Sequence, residues 1–474
     1  MQNDDDMPAV VAPTTARTGQ TAWWFPVLGV IAVAALGISL ASVVLSGADK
    51  VDTSEGTLTT GVATSFEVSL TEFSISPAAI EVPAGQELTF KVTNAGTMAH
   101  DFSVGGTKGT KRLEAGQSET IKVPGVTAST QAWCTIPGHK ESGMVMQITV
   151  AGSGATGAAA ADASAGTAAA TIDPNAVPGA GWKARDPLLA PVEGGTEHKI
   201  TLHATETELE VAPGVKQAMW TFNDTVPGPT LHGRVGDVFT VTLVNDGKVA
   251  HSIDFHASQV AMDTKMRSIE PGESLVYQFK AEHSGIWMYH CGTAPVLHHI
   301  GNGMYGAVVI DPPDLAPVAH EYAFVQSDMY PTADGSLATL DQMLGERWSV
   351  IAFNGYFNQY KFEPITSAKP GERVRIWVLD AGPSENTAFH IVGTQFDTVF
   401  KEGAYLLRPD NPESGGSQTL DLQPSQGGFV EFAFAEDGTY AMVTHKFASA
   451  SKGAVAIWHV GNVPTPPTGS AAGH

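Results

Sequence analysis

Only two cysteines occur in the 474-residue chain, and each stands among histidines and a methionine. Cys134 is followed by His139 and Met144 at equal intervals, with His100 upstream. Cys291 is followed by His299 and Met304, with His251 upstream, and the His299–Met304 interval equals His139–Met144. Two imidazoles, one thiolate and a weak axial thioether form the donor set of a blue electron-transfer copper site. A single disulfide joining Cys134 to Cys291 is the competing use. The separate His and Met surroundings favour a thiolate ligand in each. His298 competes with its neighbour for the ligand role. The matched interval selects His299 and leaves His298 as a loop residue.

The neighbourhood of Cys291 carries histidines that the first lacks. His256 follows His251 by five positions, and His290 directly precedes Cys291. On a strand, successive side chains face opposite ways. His256 and His290 are therefore expected to project away from the blue copper, joined to it through Cys291, and to form a second metal site. Two imidazoles leave that site open, so a further ligand must come from elsewhere. Asp254 lies between the two upstream histidines, where it is either a proton donor or a carboxylate capping a strand end.

The elements that must position these residues recur three times. Residues 83–100, 235–251 and 370–390 each begin with a Gly turn and continue as an alternating strand. Each then turns again at Gly96, Gly247 or Gly382 and reaches a histidine: His100, His251 or His390. Each copy then runs through a second turn and strand to Cys134, Cys291 or, in the third, Thr444-His445. Alternating strands between regular turns predict an all-β chain of three Greek-key β-sandwiches of the cupredoxin type. The third copy has Thr444 where a cysteine would stand, so it cannot hold a blue copper. It keeps His390 and His445, which points to histidines lent to another site.

Bulk properties agree. The length predicts about three folded units. Fifty glycines and 29 prolines favour short strands and tight turns. A net charge of −23 excludes nucleic-acid binding, which needs clustered Lys and Arg. It fits a solvated acidic surface, or secondarily a face that steers a cationic electron donor. Residues 21–48 carry no charge and open with Trp23-Trp24-Phe25. The stretch is long enough for a transmembrane helix, and is longer than the apolar part of a cleaved signal peptide. The expected organisation is a tail (1–20), a membrane anchor (21–48) and a blue-copper sandwich (63–151). An Ala/Gly-rich linker (152–181) and two further sandwiches (182–314 and 315–463) follow.

Residues 182–460 resemble the copper nitrite reductases, on the pairs His251/His256 and His290-Cys291, on His299 and Met304, and on His390 and His445 in a sandwich without cysteine. The loop from Tyr289 to Met304 resembles the shorter-loop branch of that family. Residues 63–151 are similar to plastocyanin-like cupredoxins. The resemblance implies a homotrimer with a type 2 copper at each subunit interface, held by His256, His290 and the partner subunit's His445. It also implies that Asp254 and His390 handle protons over the open position. The expected count is two type 1 coppers and one type 2 copper per chain.

The implied reaction is one-electron reduction of nitrite to nitric oxide and water. The electron would come from a respiratory cytochrome c or cupredoxin and enter through the N-terminal sandwich. The catalytic domains would stand on the extracytoplasmic side of the cell membrane, held by a single-pass anchor. A laccase-like multicopper oxidase is the rival enzyme. Its trinuclear site is usually built from His-x-His pairs, and none occurs here. A non-catalytic, membrane-anchored electron-transfer protein is the rival of another class, and the extra histidines and Asp254 argue against it.

Overall fold

The structure, a computed structural model, describes residues 64–150, 168–413 and 415–463, apart from 73, 97, 137–138 and 141–143. The expected tail, the anchor at 21–48 and the Ala/Gly run up to 167 lie outside the described residues. Among those described, no helix is long and apolar enough to cross a membrane.

Six β-sheets account for most of the described residues. A four-stranded sheet pairs with a five-stranded one in the first sandwich, four with four in the second, and six with four in the third. The strand launched by each Gly turn is central to its sandwich: Leu88–Asn94, Val238–Asn245 and Arg373–Gly382. In all three, this strand runs parallel to the opening strand of its sandwich: Ser65–Thr71, Glu197–Ala212 or His320–Met329. On its other side it runs antiparallel to Ser118–Val123, Ser274–Lys280 or Gly427–Ala433. The internal repeat in the sequence is thus a repeat of topology. Val, Ile, Phe and Thr dominate these strands because branched and aromatic side chains pack well on a pleated, half-buried surface.

Alternation along the strands separates two cores. In Gly285–His290, Tyr289 packs with Cys291, Phe255 and Phe239 inside the second sandwich. Ile286 and Met288 face the other way, into a core shared with Val325, Trp377, Leu379 and Phe429 of the third sandwich. Each such side chain contributes ~1.5–3 kcal/mol when fully buried. This second core joins the two sandwiches, and His290 lies on the Met288 face of its strand. The segment 168–181, expected as the end of a free linker, is already anchored. Ala170 N donates to Pro331 O at 2.8 Å, and Ala169 bridges Thr332.

Candidate metal centres

In the first sandwich the donor atoms of His100, Cys134 and His139 lie within 4.8 Å of one another, all three buried. The two ring Nδ1 atoms are 3.2 Å apart, and Cys134 Sγ is 3.4 Å from His139 Nδ1. Met144 is buried in the same core. Its N–H donates to His139 O at 3.0 Å and its carbonyl accepts from Cys134 N at 3.2 Å, closing the loop on itself.

The second sandwich repeats this arrangement. His251 and His299 bring their Nδ1 atoms to 3.3 Å, and Cys291 Sγ is 3.3 Å from His299 Nδ1 and 3.9 Å from His251 Nδ1. Met304 closes the loop with the same two backbone bonds, to His299 O and from Cys291 N, each 3.1 Å. In both centres two ring nitrogens and one sulfur converge on a point beside a buried thioether. That donor set fits copper.

Burial sets the protonation states. Removal from water brings the His139 pKa down to about 4 and that of His299 to about 3, so both rings are neutral and able to coordinate. Burial also pushes the Cys134 thiol up to about 12. Burial acts on Cys291 in the same sense. There the His251 hydrogen bond and charge, with backbone N–H groups of Ser252 and Thr293, outweigh it and leave the thiol below its ordinary value.

Two asparagines that sequence reasoning passed over hold the upstream histidines. Asn94 donates through Nδ2 to Met98 O and Leu113 O and accepts from Gly96 N. Asn245 makes the same three bonds, to Val249 O and Ile269 O and from Gly247 N. Each pins the loop that delivers His100 or His251. Their signal was visible: both copies read Asn-x-Gly ahead of the histidine. The third copy has Asp380 there. It accepts from Gly382 N at 3.1 Å, but has no amide to donate, and its Oδ2 is buried without a partner. Burial therefore holds the Asp380 carboxyl well above its ordinary pKa.

A third cluster lies on the outer face of the second sandwich. Ile253 and Phe255 point into the core, so Asp254 and His256 point out. Asp254 is the cross-strand partner of His290. His256 Nε2 lies 3.0 Å from His290 Nε2, and Asp254 Oδ2 lies 3.9 Å from the same atom. His290 Nδ1 is 2.9 Å from Cys291 O. Donation of the Nδ1 proton to that carbonyl leaves the Nε2 lone pair facing His256, the tautomer a metal needs.

His390 and His445 are not in this cluster. They stand together on the third sandwich, ring centroids 5.4 Å apart, and line a cleft of about 620 Å³ with Asn386 and Lys446. Each is held by backbone: His445 N donates to Ala388 O at 2.7 Å, and His390 Nδ1 lies 2.5 Å from Gln418 O.

His298 differs from its expected loop setting. It is buried in the short helix Val296–Gly301, where Nε2 lies 2.9 Å from Ala338 O and the ring meets the edge of Trp220. It ties this helix to the third sandwich, a role set by long-range packing that the local sequence does not carry. Trp220, also missed, lies against His299 at 4.6 Å between ring centroids and meets His251 edge-on at 5.7 Å.

Comparison with known proteins points the same way. A family model described as multicopper oxidase matches residues 203–315, and one described as a cupredoxin-like domain matches residues 37–151. The copper-containing nitrite reductase of Neisseria meningitidis serogroup A is 32% identical over 268 residues, covering 54% of this chain and 68% of the relative. That of Alcaligenes xylosoxydans is 30% identical and is covered over 76% of its length, for 49% of this chain. The solved copper nitrite reductase from Nitrosomonas europaea superposes with a TM-score of 0.51 at 33% identity, covering 56% of this chain and 94% of that one.

Proposed function

Because the chain belongs to the copper-containing nitrite reductase family, we propose that it reduces nitrite to nitric oxide and water with one electron and two protons. The observation that carries this reading is that Cys291 turns into the core while His290, the last residue of the strand before it, faces the other way, with Asp254 and His256 beside His290. Copper held by these residues supplies one-electron redox chemistry at the thiolate centres and Lewis-acid activation of nitrite at the imidazole centre.

His251, Cys291, His299 and Met304 hold one type 1 copper, and His100, Cys134, His139 and Met144 hold another. His256 and His290 supply two ligands of the type 2 site, and His445 of the partner subunit supplies the third in a homotrimer. The cleft around His390 and His445 is the complementary half of that site. The Cys291–His290 peptide link carries the electron between thiolate and imidazole. Asp254 donates the first proton to a nitrite oxygen. His390, whose Nδ1 proton is engaged by Gln418 O, holds the second at Nε2. Residues 21–48 anchor the assembly to the cell membrane with its copper domains on the extracytoplasmic side, and the N-terminal sandwich relays electrons from a respiratory donor.

A multicopper oxidase reading has the match over residues 203–315 in its favour. It lacks His-x-His pairs for a trinuclear site. Anaerobic assay separates the two. The copper-loaded protein with a small artificial reductant is expected to release nitric oxide stoichiometrically from nitrite. Dioxygen consumption without nitric oxide release would refute the reductase.

A further inference from the structure

The metal-ligand loops of the first and second sandwiches face each other. His139, Ile136 and Arg112 of the first line one cleft of about 490 Å³ together with Trp220, His299 and Glu270 of the second. A neighbouring cleft of about 450 Å³ brings Trp133 and Lys140 of the first against Glu206 and, again, Trp220 of the second. Trp220 thus lines both clefts and packs against the His299 ring.

The rims carry opposite charge. The first sandwich presents cations: Arg112, and Lys140 with its ammonium 3.7 Å above the Trp133 ring. The second presents Glu270 in the first cleft, whereas in the other Glu206 is already paired with Lys248 of its own sandwich, which lines the same cleft. Arg112 lies 3.7 Å from Glu114 of its own loop, and Glu206 lies 3.2 Å from Lys248. The attraction across the first cleft therefore acts through space. Complementary potentials of this kind fix register and orientation more than they add affinity.

We propose that these surfaces form a built-in electron-transfer interface, in which the first sandwich docks its His139 edge on Trp220 and His299. Arg112 and Glu270, which line the same cleft, hold the register. The inference rests on the relay reading of the N-terminal sandwich and adds the docking face. Its occupant is the chain's own cupredoxin, so a free protein donor reaches the first sandwich and is kept from His299.

Pulsed EPR distance measurement between the two blue Cu(II) centres of the oxidised, copper-loaded full chain tests the docking directly. The parent should give one narrow distance at low salt. Arg112→Glu or Glu270→Arg should each lower the docked-to-undocked ratio by about two- to fivefold, within the range of one exposed charge pair. The double swap should restore the narrow distance. A narrow distance unmoved by either single change, or a double swap that does not rescue, overturns the proposed face. Cys134→Ser reports on the relay separately, through turnover with the membrane donor. A Cys134→Ser protein that turns over at the parent rate removes the relay itself, whatever the distances show.

Discussion

Replacing Asp254 by asparagine separates proton supply from scaffolding. The carboxylate sits on the outer face of its strand, cross-strand from His290, with Oδ2 3.9 Å from His290 Nε2. If its only contribution were this partly exposed charge contact, losing it would remove at most about 1 kcal/mol, roughly a fivefold effect on rate. If Asp254 delivers a proton in the transition state, the loss is about 10²–10⁴-fold, equivalent to ~3–5 kcal/mol. The two roles therefore predict ranges that do not overlap. Asparagine keeps the size and shape, so the strand and both histidines stay in place. The assay is amperometric nitric oxide release under anaerobic conditions at saturating nitrite, with copper counted on the same preparation. Asp254→Asn should retain three coppers per chain and lose at least a hundredfold in kcat. A loss smaller than about tenfold in fully loaded protein would refute the proton-donor assignment.

Copper analysis with EPR on Cys134→Ser and Cys291→Ser should show one blue signal removed by each change and the other left intact, since the two thiols are buried in separate cores. A disulfide between them in the purified protein would sink both assignments. His256→Ala and His445→Ala should each empty the type 2 site alone, and co-assembly of the two inactive proteins should recover some activity, because mixed trimers pair intact halves. Verified mixed trimers without any recovery would place the site within one chain. Asp380→Asn should stabilise the third sandwich at neutral pH, because the amide keeps an acceptor for Gly382 N and removes a buried group that is costly to ionise. The folded-state pKa of Asp380 is raised, so the wild-type protein loses stability as pH climbs above the unfolded-state value of an aspartate. The gain in melting temperature should therefore be larger at pH 8 than at pH 5, and equal gains would contradict a buried, reluctantly charged carboxyl.

Much of the fold was legible because strand periodicity is a local signal. The Gly turns at Gly85, Gly236 and Gly371 announced the central strands, and alternation alone sent His290 and Cys291 to opposite faces. The convergence of His100, Cys134 and His139 was legible for the same reason, since Cys134, His139 and Met144 share one loop. What escaped depends on contacts distant in sequence. Asn94 and Asn245 act through carbonyls 19 and 24 residues away. His298 reaches Ala338, 40 residues on, and Trp220 reaches its histidines from the strand Val215–Phe222. The cluster of Asp254, His256 and His290 was readable as incomplete. Nothing local says which surface completes it.

The strand Gly285–His290 and the cysteine that follows it work as a parity device. Odd-numbered positions from Trp287 to Cys291 address the interior of the second sandwich, and even-numbered ones address its outer face. Insertion of a single residue between Tyr289 and His290, or a slip of one in register, would exchange the two destinations. The Cys291 thiol would be sent to the outer face and the His290 imidazole into the core of the second sandwich, and both clusters would be lost together. The two chemistries are thus written in a code with a word length of one residue, and the strand is closed to insertion and deletion. Variation that alters the distance or timing between the centres has to come through substitution in this strand, or through the loops that deliver His251, His299 and His256.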